Sequence, residues 1–166
     1  MDTSRERFLQ VIDKHQGIIR SLCKGYYPCQ DDRQDAEQDI ILQLWKSFES
    51  FRGEAAISTW IYRVSLNTIL GKLSKEQRQP QKERISPVHE NQEAATYCDD
   101  DLRLLHQLIS SLNEIDKGLV MLYLDGYSTK EMADLLNLSQ SNVTTRISRI
   151  KRNLKSKINK HSHELR

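Results

Sequence analysis

The chain has 166 residues, of which 37% are hydrophobic and 29% charged, and its formal net charge is +2. This length allows one ordinary domain or two small ones, and six glycines and three prolines supply little material for the turns of a β-rich fold. The N-terminus lacks the apolar core of a signal peptide, and the most apolar short run, 119–124, is far below the roughly 20 residues that span a bilayer, so we expect a cytoplasmic protein.

The first predicted element is a helix within the first 25 residues. Apolar residues recur there every three or four positions, and Gly25 and Pro28 predict that the helix ends before residue 25. Its inward stripe is predicted to be Phe8, Ile12, His15, Ile19 and Leu22.

Two further helices follow, separated by a loop at 51–56. The first has Asp31 or Asp32 as its predicted N-cap, and the second covers about 57–73. Residues expected to face inward are Ala36, Ile40, Ile41, Leu44, Trp45 and Phe48 in the first of these helices, and Ile57, Trp60, Ile61 and Val64 in the second.

The stretch 79–100 lacks apolar periodicity and contains two of the three prolines. Residues 81–100 carry a net charge of −3, whereas residues 1–80 carry +1 and residues 101–166 carry +4. We predict an acidic, flexible linker at 79–100 between two helical domains, 1–78 and 101–166.

Four helices are predicted in the second block. One covers about 101–112, one follows Asn113 as N-cap, a third opens at Ser128 with Glu131 at capping-box spacing, and the last follows Ser139. Short helices separated by about three residues predict a helix-turn-helix, and Asn137 in the turn tolerates a left-handed backbone.

The last helix has two different faces. Its predicted buried side is Val143, Ile147, Ile150, Leu154 and Ile158. Its polar side is predicted to be Gln140, Ser141, Thr144, Thr145, Arg146, Ser148, Arg149 and Arg152. Hydroxyls, amides and guanidinium groups bind base edges and phosphates, so this side predicts a DNA-recognition helix. The alternative is a basic amphipathic helix on a protein surface.

A family resemblance rests on the first block. The stretch DRQDAEQDIILQLWKSFESFRGEAAISTWIYRVSLN, residues 32–67, resembles the second conserved region of bacterial sigma factors, most specifically in FRGE, TWIYR and the pair Asp35 and Gln38. The C-terminal block resembles the fourth region, and the short two-block chain is similar to the extracytoplasmic-function (ECF) group. The resemblance covers about 8–73 and 104–158. It implies an all-α fold in which a region 2 helical bundle and a region 4 helix-turn-helix are joined by a flexible linker.

The resemblance also implies partners and site residues. Core RNA polymerase would be bound through its β′ clamp helices and β flap, and the residues implied for core binding are Asp35, Gln38, Asp39 and Gln43. Those implied for opening and holding the minus-ten promoter element are Phe51, Arg52, Gly53, Thr59, Arg63 and Asn67. The polar side of the last helix would read the minus-thirty-five duplex. Members of the family often have an inhibitory anti-sigma partner, frequently membrane-bound.

These assignments have alternatives in the residues themselves. The polar face around Gln38 is also typical of a solvated helix, and Arg52 could pair with Glu54 or Glu49. For the whole chain, the alternatives are a DNA-binding repressor that never meets polymerase and an adaptor whose basic helix binds an acidic protein.

Catalytic and metal-binding patterns are not found in the sequence. Three cysteines without CxxC spacing and five scattered histidines predict neither a disulfide framework nor a metal site, and there is no glycine-rich phosphate loop or nucleophile–base pairing. We therefore expect no enzymatic activity, no cofactor and no small-molecule substrate.

Overall fold

Amphipathic helices form every element of the computed structural model, which describes residues 3–78 and 100–164. The chain divides into two compact units, and the division lies within 79–99, outside the described residues. The predicted linker therefore also lies outside them, except for Asp100, where the first helix of the second unit begins. No helix in the described ranges is long and apolar enough to cross a membrane.

The first unit is a three-helix bundle of α1 (Thr3–Tyr26), α2 (Gln30–Phe48) and α3 (Ile57–Arg78), each of which contacts the other two. Its fully buried side chains include Leu22, Cys23, Ile40, Leu44, Ile61, Tyr62, Leu66 and Ile69. The bundle thereby buries many side chains of the predicted apolar stripes, and this burial stabilises the bundle.

Both predicted boundaries between α1 and α2 are wrong. α1 continues past Gly25 because Tyr26 and Tyr27 are buried against the bundle, which offsets the poor helix propensity of glycine. Cys29, rather than Asp31 or Asp32, is the N-cap of α2, with the extended backbone angles φ −82° and ψ 139°. The two aspartates lie in the first turn, where a negative charge interacts favourably with the helix dipole.

Two residues predicted to face inward lie at the solvent edge of α2. Ile41 is 37% exposed and Trp45 is 38% exposed, because Ile40 and Leu44 define the buried side and each of the other two is displaced from it by about 100° around the helix. Trp45 still contacts Phe8 edge-on, with ring centroids 5.0 Å apart. Its indole thus covers the rim of the core.

The second unit consists of α4 (Asp100–Ser110), α5 (Glu114–Leu124), α6 (Thr129–Leu136) and α7 (Gln140–Glu164). Its predicted caps are confirmed: Asn113 accepts a hydrogen bond from the Asp116 amide, and Ser128 and Glu131 form a capping box. The buried side chains of this unit include Leu119, Leu122, Met132, Ala133, Leu135, Val143 and Ile150. α6 and α7 pack on α5 around them.

Candidate nucleic-acid interface

The turn between α6 and α7 fixes the start of the candidate recognition helix. Asn137 adopts the left-handed conformation, with φ 54° and ψ 47°, and the amide of Leu138 bonds the Ala133 carbonyl at 2.9 Å. Ser139 then accepts a hydrogen bond from the Asn142 amide at 3.2 Å, which caps α7. The turn thus joins the short helix α6 tightly to the start of the longer α7, as the helix-turn-helix prediction requires.

The polar side of α7 lies opposite Val143 and Ile150, which are buried on the unit. The predicted residues exposed there are Gln140, Ser141, Thr144, Thr145, Ser148, Arg149 and Arg152. The hydroxyls of Thr144 and Thr145 each donate to a helix carbonyl at 2.9 Å, so their oxygens remain able to accept from outside the helix. This face offers donors, acceptors and positive charge together.

Arg146 differs from the other predicted residues because it is half-buried and bound by side chains of its own unit. Its Nη1 donates to Asp116 Oδ1 at 2.7 Å, and its Nε donates to Asn142 Oδ1 at 2.8 Å. Arg149 Nη2 also donates to this carboxylate, at 3.2 Å from Asp116 Oδ2. Asp116 itself is only 4% exposed. The cap at Asn113 was predicted, but this pairing was not; it joins α5 to α7 across 30 and 33 residues.

Lys151 also contacts α5. Its Nζ lies 2.7 Å from the Tyr123 hydroxyl and 4.0 Å from the centroid of the same ring. The basic residues of α7 therefore have different surroundings, and Arg152 belongs to the exposed face while Lys151 lies against the α5 side.

In the first unit, a cavity of 310 Å³ opens at the loop between α2 and α3. Its lining is Ser50, Phe51, Arg52, Glu54, Ala55, Trp60 and Arg63. The Phe51 and Trp60 rings pack with centroids 4.9 Å apart, and Gly53 takes the positive φ of 74° that the turn requires. Aromatic faces beside arginines suit an unstacked base. Trp60, predicted as core, is only half-buried and was missed as a site residue.

Asn67 and Thr59, also implied for the minus-ten element, do not line this cavity. Asn67 lines a separate groove of 710 Å³ between α2 and α3, together with Lys46, Lys72 and Lys75. Thr59 is half-buried on α3 and lines neither space. Phe51, Arg52 and Arg63 therefore line one cavity, whereas Asn67 lines the neighbouring groove one helical turn further along α3.

The same groove contains Asp39 and Gln43, implied above to bind polymerase. Lys72 Nζ lies 2.7 Å from Asp39 Oδ2, and this hydrogen bond raises the pKa of Lys72 above its usual value. Asp39 and Gln43 thus face α3, and they form a different surface from the exposed Gln38.

An outer surface on α2 combines polar and apolar residues. Gln38 is exposed, and helical spacing puts it on the same side as Leu42 and Trp45, which are 48% and 38% exposed. Asp35 lies at the N-terminal end of this side and is also exposed. Leu42 was not predicted as a site residue, because the helical spacing of apolar residues does not show which flank of a helix its neighbours cover.

Groups of His, Cys, Asp and Glu that could hold a metal are not found among the described residues. Burial raises the pKa of the Cys23 thiol to about 12, with the negative charge of Glu37 adding to the effect. This thiol is therefore protonated at neutral pH and a poor nucleophile.

Comparisons with known proteins agree with this architecture. Residues 11–79 match the family model for sigma-70 region 2, and residues 102–154 match that for sigma-70 region 4. The chain is 27% identical over 168 residues to the ECF RNA polymerase sigma-E factor of Haemophilus influenzae, and this match covers 93% of this chain and 88% of the relative. It is 24% identical to that of Escherichia coli K12, covering 93% and 87%.

Two solved structures share the fold. The sigma factor RpoE in complex with the anti-sigma factor NepR, from Bartonella quintana, has a TM-score of 0.68 at 18% identity, covering 94% of this chain and 96% of that one. CnrH in complex with the cytosolic domain of CnrY has a TM-score of 0.65 at 17% identity, covering 93% and 89%.

Proposed function

Since this chain belongs to the sigma-70 family, and within it to the ECF type of RNA polymerase sigma factors, we propose that it directs core polymerase to promoters and opens their minus-ten element. The observation that carries the proposal is the presence on one chain of two different surfaces with the chemistry that suits DNA. One unit has a polar, basic helix suited to a duplex groove, and the other has an aromatic cavity suited to a single base.

The minus-thirty-five duplex is read by α7. A recognition helix enters the major groove by its N-terminal half, where Ser141, Thr144 and Thr145 offer hydroxyls to base edges. Arg149 and Arg152 follow on the exposed side, where arginines bind base edges or the phosphates along the groove. The hydroxyls thus supply sequence discrimination, and the arginines supply affinity through phosphates and further discrimination where they reach base edges.

The minus-ten element is captured as single strand at the loop cavity. A flipped base would lie against the Phe51 and Trp60 rings, and Arg52 and Arg63 would bind its edge or the adjoining phosphate. The strand would continue over α3 towards Asn67 and Lys75, which line the neighbouring groove. Thr59 and Gly53 then act by shaping this region. Stacking of the captured base offsets part of the cost of unpairing it.

Core polymerase binds the outer side of α2, centred on Gln38 and Leu42. An exposed apolar side chain flanked by carboxylate and amide groups is typical of a protein interface. Asp35 extends this surface, whereas Asp39 and Gln43 flank it at the groove. The β flap contacts the second unit. An anti-sigma factor is a further partner, and the solved sigma factor RpoE bound to the anti-sigma factor NepR supports it.

An assay of promoter opening tests the proposal that this chain opens the minus-ten element. Holoenzyme is assembled with wild-type chain, with Arg63→Ala, or with Arg20→Ala, an exposed arginine of α1 that serves as the matched control. Unpaired thymines are detected with permanganate on a promoter recovered from genomic DNA. Loss of one charge-assisted hydrogen bond predicts about a tenfold decrease in open complex for Arg63→Ala only. Equal opening by all three proteins would contradict capture at this cavity.

The two alternative functions predict different results in the same assay. A repressor would bind DNA without core polymerase, would favour a palindromic site and would give no opening. An adaptor would give neither opening nor a DNA crosslink from Thr144, Thr145 or Arg149.

A further inference from the structure

Asp116 is held in place by the N-cap of α5, independently of its contacts with α7. Its amide donates to Asn113 Oδ1 at 2.9 Å, and Asn113 Nδ2 donates back to Asp116 Oδ2 at 2.9 Å. The side chain is only 6% exposed. A carboxylate buried to this extent is costly unless charged partners satisfy it. The cap of α5 therefore presents a fixed negative charge to the neighbouring helix.

The two arginines that meet this charge are held to different degrees. Arg146 makes the shorter contact, 2.7 Å, its side chain is 29% exposed, and Asn142 fixes its guanidinium from the other edge. Arg149 makes the longer contact, 3.2 Å, and its side chain is 63% exposed. Arg146 is thus oriented from two sides, whereas Arg149 can exchange the carboxylate for a group outside the protein.

We propose that Asp116 is a positioning residue for promoter discrimination: it orients Arg146 and holds Arg149 back from phosphates until the correct minus-thirty-five duplex offers both arginines matching acceptors. The proposal rests on α7 being the duplex-reading helix.

The physical basis is competition for the guanidinium groups. A free arginine binds any phosphate and releases counterions, which adds affinity for every sequence equally. An arginine already bound to a carboxylate gains from DNA only when the new hydrogen bonds exceed those that it gives up. Base-edge contacts in a correct site meet that condition and isolated phosphates do not, so Asp116 lowers non-specific affinity and raises discrimination.

Asp116→Asn preserves the shape of the side chain and removes its charge. Holoenzyme carrying this variant is titrated, over a series of salt concentrations, with a duplex recovered from genomic DNA by the wild-type holoenzyme and with the same duplex after its minus-thirty-five box is shuffled. Asp134→Asn, an exposed aspartate of α6, changes the net charge equally and is the matched control. Circular dichroism verifies that both variants are folded.

Asp116→Asn is expected to bind the shuffled duplex more tightly than wild type, with a log K against log salt slope steeper by about one. Its preference for the correct box is expected to fall about tenfold, the scale of one bidentate base contact. The added Arg149→Gln substitution should remove the steeper slope. A merely structural role would instead weaken binding to both duplexes, and that result, or equal effects of Asp134→Asn, would overturn the proposal.

If Asp116→Asn does not fold, Asn113→Ser takes its place, because serine keeps the helix cap and removes the Nδ2 donor to Asp116. A decrease of discrimination of about threefold is expected, since one of the three side-chain hydrogen bonds to the carboxylate is lost. Unchanged discrimination would overturn the proposal. If the wild-type holoenzyme itself shows no preference for the correct box, the proposed function of α7 fails instead, so the two failures are distinguishable.

Discussion

Leu42 places an apolar side chain in water on α2, next to Gln38 and Trp45. A single exposed leucine is ordinary, but three neighbouring side chains on one side of a helix form a continuous surface that includes an amide. The proposed interface with core polymerase would remove this surface from water. The apolar side chains of this surface should therefore contribute more to the affinity than the neighbouring charge of Asp35, which water and salt screen.

Leu42→Ala is expected to weaken core polymerase binding about tenfold or more, because burying a leucine side chain contributes about 1.5–3 kcal/mol. The stability of the first unit should hardly change, since the side chain is not part of the core. Fluorescence anisotropy of labelled chain titrated with core polymerase measures the affinity. Leu9→Ala, an exposed leucine of α1, is the control. Equal binding by both variants would contradict an interface centred on Leu42.

Pairing between distant side chains is the part of the site that the sequence could not reveal. Residue types on α7 predicted a polar, basic face, and exposure bears this out for most of its members. The contacts from Asp116 to Arg146 and from Lys72 to Asp39 join positions 30 and 33 residues apart. Helical periodicity orders residues around one axis and carries no information on the rotation of a neighbouring helix.

Among the helices, the junction of α6 and α7 depends on the backbone conformation of one residue with a side chain. Asn137 is the single non-glycine residue with positive φ in the described ranges, and the turn that it forms sets the direction of α7. Helices α2 and α5, by contrast, are positioned by burial along one side. A change at position 137 should therefore affect the interface more than a polar change elsewhere on the helix surface.

Asn137→Ala is expected to destabilise the second unit by about 1 kcal/mol, the cost of a left-handed conformation for a residue with an ordinary side chain. Asn137→Gly should be neutral or stabilising, because glycine adopts this conformation freely. Native-state hydrogen exchange of the α6 and α7 amides measures both effects. Asn153→Ala, in the exposed middle of α7, is the control and should not destabilise. Destabilisation by glycine equal to that by alanine would contradict the role of the turn.

The presence of the helices and the N-caps at Asn113 and Ser128 were predicted correctly from the sequence, whereas several other helix ends were not. The caps at Asn113 and Ser128 use local hydrogen bonds within four residues, which a local pattern contains. The end of α1 depends on burial of Tyr26 and Tyr27 in the bundle, and α3 runs to Arg78 rather than 73. Tertiary packing thus overrides local signals such as Gly25.

For the molecule as a whole, each unit supplies one of the two surfaces proposed to bind DNA, and the chain supplies their connection. The first unit holds the loop cavity and the outer side of α2, and the second holds α7. One polymerase could use both surfaces on a single promoter, at a site with two different boxes. A protein with only one of them would bind DNA but would not select and open a start site.

Run-off transcription with core polymerase on genomic DNA, with and without this chain, tests that claim most directly. New transcripts that start at defined positions are expected only when the chain is present, and their start sites should share two upstream boxes of different sequence. Omitting core polymerase and adding a chain with Arg63→Ala are the controls, and the second should give fewer transcripts from the same start sites. Transcription by core polymerase that is the same with and without the chain would contradict the account.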